Sequence, residues 1–200
     1  MKKAIIIILS ALISLQSFAT DYMATVWGVK SDGTTDNTAS IQRAIDHISA
    51  NGGGTLTFYV GRYLSGAIQL KDNVTLRFAE GAVLVGSTNI YAYKGAPALI
   101  WAKDCKNVAV IGNGVLEGRA AALEAQAADQ KSKGYIAEVV LPALISMENC
   151  TGSKVEDVKL YDSAAPTALV KSGDVSVNGV YVYKNGTVTT PAGKKVKVIK

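Results

Sequence analysis

Apolar residues along this chain fall mostly in short runs rich in Val, Ile and Leu, separated by glycine or asparagine. Such runs predict β-strands, over residues 55–60, 67–70, 74–78, 82–85, 98–102, 108–111, 143–147, 155–160, 168–171 and 175–182. One segment has a different period. Ile41, Ala44, Ile45 and Ile48 lie at helical spacing behind the capping candidates Asp36 and Thr38, and Asn51-Gly52-Gly53-Gly54 stops the run. This predicts a helix over 39–50, with His47 off the apolar stripe and facing solvent. A second helical stretch, 120–133, is alanine-rich and weakly amphipathic, and reads as an insertion packed on the outside. No helix alternates with the strands, so a doubly wound α/β sheet is excluded.

The strands also repeat. Ala98-Leu99-Ile100 followed by Cys105 recurs as Ala143-Leu144-Ile145 followed by Cys150, at an offset of 45. Val158-Lys159-Leu160 recurs as Val180-Tyr181-Val182, at an offset of 22. The helical insertion lies inside the longer interval, and removing about 23 residues reduces it to the shorter period. A 22-residue period suits a parallel β-solenoid, whose coils bury an apolar face only when stacked. Equivalent positions in adjacent coils lie about 4.8 Å apart, within the ~4.4–6.8 Å Cα spacing of a disulfide. Cys105 and Cys150 are therefore either a bonded pair or two stacked, buried thiols.

The first nineteen residues stand apart. Lys2 and Lys3 precede an apolar run from Ala4 to Leu15, and Ser17-Phe18-Ala19 puts small residues at −3 and −1 of a signal-peptidase site. The run is shorter than the ~20 residues of a membrane span. A signal peptide over 1–19 is expected, with the protein secreted or periplasmic. The chain's net charge of +5 falls to +3 without those two lysines. A charge this small and scattered does not predict nucleic-acid binding. Lys194, Lys195, Lys197 and Lys200 alternate with Val196, Val198 and Ile199, the pattern of a charged edge strand. With one histidine among 200 residues and no CxxC, neither a zinc site nor any cofactor is expected.

One ordered set of motifs is distinctive. Trp27-Gly28-Val29-Lys30-Ser31-Asp32-Gly33-Thr34-Thr35-Asp36-Asn37-Thr38 is followed by Ile41-Gln42-Arg43-Ala44-Ile45 and Gly52-Gly53-Gly54-Thr55. Then come Gly61-Arg62-Tyr63-Leu64, Gly66-Ala67-Ile68-Gln69-Leu70, Asn73-Val74-Thr75-Leu76, Gly81-Ala82-Val83-Leu84 and Gly112-Asn113-Gly114-Val115-Leu116-Glu117-Gly118. This succession, from about Ala24 to Val182, resembles the N-terminal half of the polygalacturonase family, family 28 of the glycoside hydrolases. It also resembles the wider pectate-lyase-like β-helix proteins. The resemblance implies an all-β, right-handed parallel β-helix over 20–182, with an N-terminal capping helix and one helical insertion. In that setting Asp32 and Asp36 serve a turn and a cap.

The resemblance also implies hydrolysis of pectic chains with inversion, which needs an acid and a base about 6.5–9.5 Å apart. The family supplies them from Asn-Thr-Asp, Asp-Asp, Gly-His-Gly and Arg-Ile-Lys motifs on later coils, and none is present here. After Val182 the sequence reads Tyr183-Lys184-Asn185-Gly186-Thr187. No catalytic, cofactor-binding or metal-binding residue is therefore assigned. Asn185-Gly186 and Pro191-Ala192-Gly193-Lys194 are turn sequences, so 183–200 is expected to form a hairpin tail, a meander over 180–199 capping the solenoid.

Two further groups of side chains are chemically suggestive. Glu148, Glu156, Asp157, Asp162 and Asp174 are carboxylates on the later coils, either solvated beside turns or candidates for acid/base or calcium chemistry. Trp101, Tyr91, Tyr93, Tyr161, Tyr181 and Tyr183 are either a sugar-stacking surface or buried packing. The functional expectation is a polygalacturonase-like protein of pectin degradation that is inactive or very weak as this chain stands. The alternatives are a non-catalytic β-helix that binds acidic polysaccharide, or a structural surface module.

Overall fold

The computed structural model describes residues 20–183 and, beyond them, the strands at 187–188 and 198–199. The expected signal peptide and most of the lysine-rich tail lie outside the described residues. The strands are β1 (Thr20–Met23), β2 (Asp32–Asp36), β3 (Gly54–Phe58), β4 (Gly61–Ser65), β5 (Ile68–Gln69), β6 (Val74–Phe78), β7 (Ala82–Gly86) and β8 (Ala98–Lys103). They continue as β9 (Ala109–Ile111), β10 (Val115–Glu117), β11 (Ala143–Glu156), β12 (Lys159–Tyr161), β13 (Thr167–Asn178), β14 (Tyr181–Tyr183), β15 (Thr187–Val188) and β16 (Val198–Ile199). Helix α1 spans Thr38–Ala50 and α2 spans Ala120–Ser132.

Among the described residues every strand pairing is parallel and joins strands that are not consecutive. The chain therefore winds into a right-handed parallel β-helix. One face stacks β2, β4, β7, β10, β12, β14 and β16. A second stacks β5, β8 and the first halves of β11 and β13; a third stacks β1, β3, β6, β9 and their second halves. The sequence repeats reappear as register: Ala98 pairs with Ala143, Ile100 with Ile145, Lys159 with Tyr181 and Leu160 with Val182.

Alternation along each strand sends one side chain in two inward. Leu56, Leu76 and Val110 stack in one buried column, and Leu84, Leu116, Leu160 and Val182 in another. Phe58 and Phe78, two residues further along the same strands, form a neighbouring column of stacked rings with centroids 4.8 Å apart.

The N-terminal end would leave this core open, and α1 closes it. Ile41, Ala44, Ile45 and Ile48 are buried against the first coil. The polar side of the same helix meets the exposed edge of the second face. Thr38 Oγ1 accepts from the Gly66 amide at 2.7 Å. Gln42 accepts from the Gln69 amide at 2.8 Å and donates to its carbonyl at 3.1 Å, and Ser49 donates to the Asp72 carbonyl at 2.9 Å. Side chains of the helix thus stand in for a missing strand. Asp32 and Asp36 use their carboxylates locally, on the Thr34 and Thr35 amides and on the Thr38 amide.

Several expectations are corrected. Residues 143–147 and 155–160 are not two separate strands: β11 runs unbroken to Glu156, and β12 is distinct. Residues 175–182 divide at Gly179, whose φ of 61° turns the chain onto the next face. Strands β1, β2, β4 and β10 were missed, their sequences being short, polar or glycine-bearing. The tail departs most. Instead of an antiparallel meander, β15 pairs in parallel with β13 and β16 in parallel with β14. A solenoid edge presents the same row of amides and carbonyls at every coil, so parallel addition continues the existing ladder. The Asn185-Gly186 turn lies outside the described residues.

Cys105 and Cys150 occupy equivalent places in adjacent coils, where the Thr151 amide donates to the Cys105 carbonyl at 3.0 Å. Both are free, buried thiols. Of the two alternatives open in the sequence, the structure shows the reduced one. Burial pushes both thiols above the ordinary cysteine range.

Candidate functional site

The three corners of each coil differ. After the first coil, the turns between the third and first faces are two or three residues, and those between the second and third are only slightly longer. Left-handed Asn73, Asp104, Asn107 and Asn149 make the latter turns, joined across coils by Asn107 to Asn73 at 2.9 Å and Asn149 to Asp104 at 2.6 Å. The long excursions, 87–97 and 118–142, both leave from the corner between the first and second faces.

These two excursions pack on each other over the second face. Gln126 of α2 accepts from the Ile90 amide at 2.6 Å, and Gln130, one turn on, accepts from the Tyr91 hydroxyl at 2.9 Å. The small apolar stripe Ala120, Leu123 and Ala127 is the buried side of α2. Gly134, with φ 73°, ends the helix and turns Tyr135 back so that its amide donates to the Gln130 carbonyl. The Ala143 amide donates to the Pro97 carbonyl at 3.0 Å where the excursions rejoin the coils.

Between them lies a cleft of about 670 Å³. Its aromatic lining is Tyr91, Tyr93, Trp101 and Tyr135. Tyr91 is 47% and Tyr135 69% exposed, and the neighbouring Val140 is 76% exposed. Tyr93 is buried, its hydroxyl donating to the Ser87 carbonyl at 2.9 Å, and burial pushes its phenol well above the ordinary tyrosine range. The charged lining is Lys94, Lys103, Glu138 and Glu148, none of which forms an ion pair among the described residues. Lys103 and Glu148 are register partners on β8 and β11.

The structure therefore brings together four of the residues singled out in the sequence, Tyr91, Tyr93, Trp101 and Glu148. It separates the rest. Tyr161, Tyr181 and Tyr183 lie on the first face, the last two with centroids 6.5 Å apart. Glu156 pairs with Lys154 at 2.9 Å, Asp174 accepts from the Gly152 amide at 3.2 Å, and Asp157 and Asp162 occupy left-handed corner positions. Asp174 thus ties its strand to the neighbouring coil, and Glu156 is held by a lysine of its own strand.

Among the described residues no three His, Cys, Asp or Glu groups are placed to hold a metal. His47 is exposed on α1, its ring 4.9 Å from that of Trp27. Sequence reasoning missed Lys94, Lys103, Tyr135 and Glu138. The signal available was the aromatic residues inside the two excursions, Tyr91 and Tyr93 in the first and Tyr135 in the second.

No protein-family model matches the sequence. The exo-poly-alpha-D-galacturonosidase of Dickeya chrysanthemi is 33% identical over 150 residues, which is 65% of this chain and 24% of that protein. The chain thus spans about a quarter of the length of the curated relative it matches. A crystal structure from Parabacteroides merdae, proposed to be a glycosyl hydrolase, is 48% identical with a TM-score of 0.78, covering 82% of this chain and 74% of that one. The family 28 exopolygalacturonase of Yersinia enterocolitica aligns with a TM-score of 0.68 at 21% identity, over 82% of this chain and 39% of that one. The two solved structures share the parallel β-helix fold with the protein described above.

Proposed function

Because the chain belongs to the polygalacturonase-like group of family 28 glycoside hydrolases and pectate-lyase-like β-helix proteins, we propose that it binds a pectic polysaccharide in the cleft between its two excursions. The observation that carries this reading is the grouping of Tyr91, Trp101 and Tyr135 around one opening. Flat rings beside polar groups of both signs are what a saccharide requires, with apolar ring faces to stack and hydroxyls to satisfy.

Binding is the activity proposed for this chain, with hydrolysis absent or very weak. No Asp-Asp or Gly-His-Gly occurs in the sequence, and its one histidine is on the capping helix. The proposed setting is secreted or periplasmic, through residues 1–19. A second reading, a hydrolase in its own right, is favoured by one observation: Glu138 and Glu148 both line the cleft.

Binding measured by calorimetry on pectic oligosaccharides, beside release of reducing ends from polygalacturonate, separates the two readings. Trp101→Ala is expected to weaken binding by at least about tenfold, equivalent to 1.4 kcal/mol, with no product at high protein concentration. Product formation that disappears in Glu148→Gln would establish the hydrolase instead. Binding indifferent to Trp101→Ala would remove the cleft from either reading.

A further inference from the structure

We infer that the cleft takes an uncharged stretch of glycan, a neutral or fully esterified segment, and discriminates against free uronate. This rests on the proposal that the cleft is the saccharide site. The argument is one of charge placement. The chain as a whole is cationic, but the cleft is not. Its lining carries Lys94 and Lys103 against Glu138 and Glu148, so the formal charges cancel.

A polyuronate bears one carboxylate on every sugar. Drawing such a chain into a cleft strips water from each carboxylate, and the loss is recovered only where a cation is set against it without a competing anion. Here the only cation on the cleft's strand floor, Lys103, has Glu148 as its register partner on the next coil. A uronate meeting Lys103 would therefore lie beside a like charge. The remaining lining is apolar or aromatic: Ile90, Ile136, Val140, Pro97 and Pro142 beside the rings. An uncharged sugar fits all of it. Its ring faces stack on Trp101 and the exposed tyrosines, and its hydroxyls, which both donate and accept, pair with ammonium and carboxylate alike.

The test compares two ligands differing only in charge: an oligogalacturonide and the same oligomer fully methyl-esterified. Both are titrated calorimetrically into the wild type and Trp101→Ala, at low and at physiological salt. A neutral galactan oligomer serves as a third ligand. The expected result is binding of the ester at least about tenfold tighter than the free acid, flat in salt, and lost in Trp101→Ala while Trp101→Phe retains it. Tighter binding of the free acid, weakening as salt rises, overturns the inference and leaves the cleft as the saccharide site. Ester binding unaffected by Trp101→Ala overturns both, and so does failure of all three ligands to bind.

Discussion

Asn37 is 1% exposed, and its side chain joins three segments of the N-terminal cap. Its amide oxygen accepts from the Lys30 amide at 2.7 Å, and its Nδ2 donates toward the carbonyls of Lys30, Thr35 and Leu64. Asn37→Ala removes the side-chain partners of the Lys30 amide and of the Lys30 and Thr35 carbonyls, while the Leu64 carbonyl keeps the Asn37 backbone amide, so a loss of about 1–3 kcal/mol is expected in urea unfolding. Nothing in the sequence separates this asparagine from its neighbours Asp32 and Asp36, since the pattern shows a polar residue before a helix and not the carbonyls that will converge on it. Gly112 is a case of the opposite kind. Its φ is 106°, and a β-carbon added there would run into the Phe78 carbonyl of the preceding coil, so it has no room for a side chain. Gly112→Ala should cost about 2 kcal/mol or more, seen as a lowered midpoint with an unchanged slope. The paired thiols give a pH dependence. Burial raises their pKa in the folded protein, so the unfolded chain releases its thiol protons first as pH rises. Stability is therefore full below the ordinary cysteine range and falls above about pH 8.5. Thermal melting across that range should show the fall in the wild type and a shallower one in Cys105→Ala/Cys150→Ala.

At the level of elements, α1 was legible because its stripe repeats at helical spacing. Its second duty was not. Gln42 and Ser49 read as ordinary surface residues and Thr38 as a helix cap, yet all three bond the free edge of the second face. Gln42→Ala should destabilise by about 1–3 kcal/mol and expose Gln69 to strand addition by another molecule. Light scattering after partial heating would detect the resulting association, and Gln42→Glu, which keeps an acceptor for the Gln69 amide, should associate less. The cleft was half legible. Tyr91 and Trp101 stood out as members of a candidate sugar-stacking set, but Tyr135 and Glu138 acquire their place only because α2 folds back over the second face. That placement depends on Gln126 and Gln130 meeting residues about 36 to 39 positions earlier, a distance no local pattern spans.

For the whole molecule, the repeat offsets of 45 and 22 translated directly into register, because each coil touches only its neighbours and an equal spacing in sequence becomes a stack in space. The same logic failed at the tail, where a local hairpin signal competed with the ladder and the described strands follow the ladder. Nearest-neighbour stability also predicts a gradient: amides of β3 and β6, between α1 and the following coils, should exchange with solvent more slowly than those of β14. Hydrogen exchange read by mass spectrometry checks this, and uniform protection along the stack would contradict it.

The two long excursions leave from the same corner, and the coils on either side of them remain in register. Chain length and coil count are thereby uncoupled. Extra sequence placed at that corner adds only loop closure, about 0.6 kcal/mol for each doubling of length, and leaves the rise of the stack unaltered. The surroundings of Gly134, where an added Cβ would meet nothing within 4 Å, show that this corner has room outside the stack for added sequence. The same insertion within β8 or β12 would break the ladder.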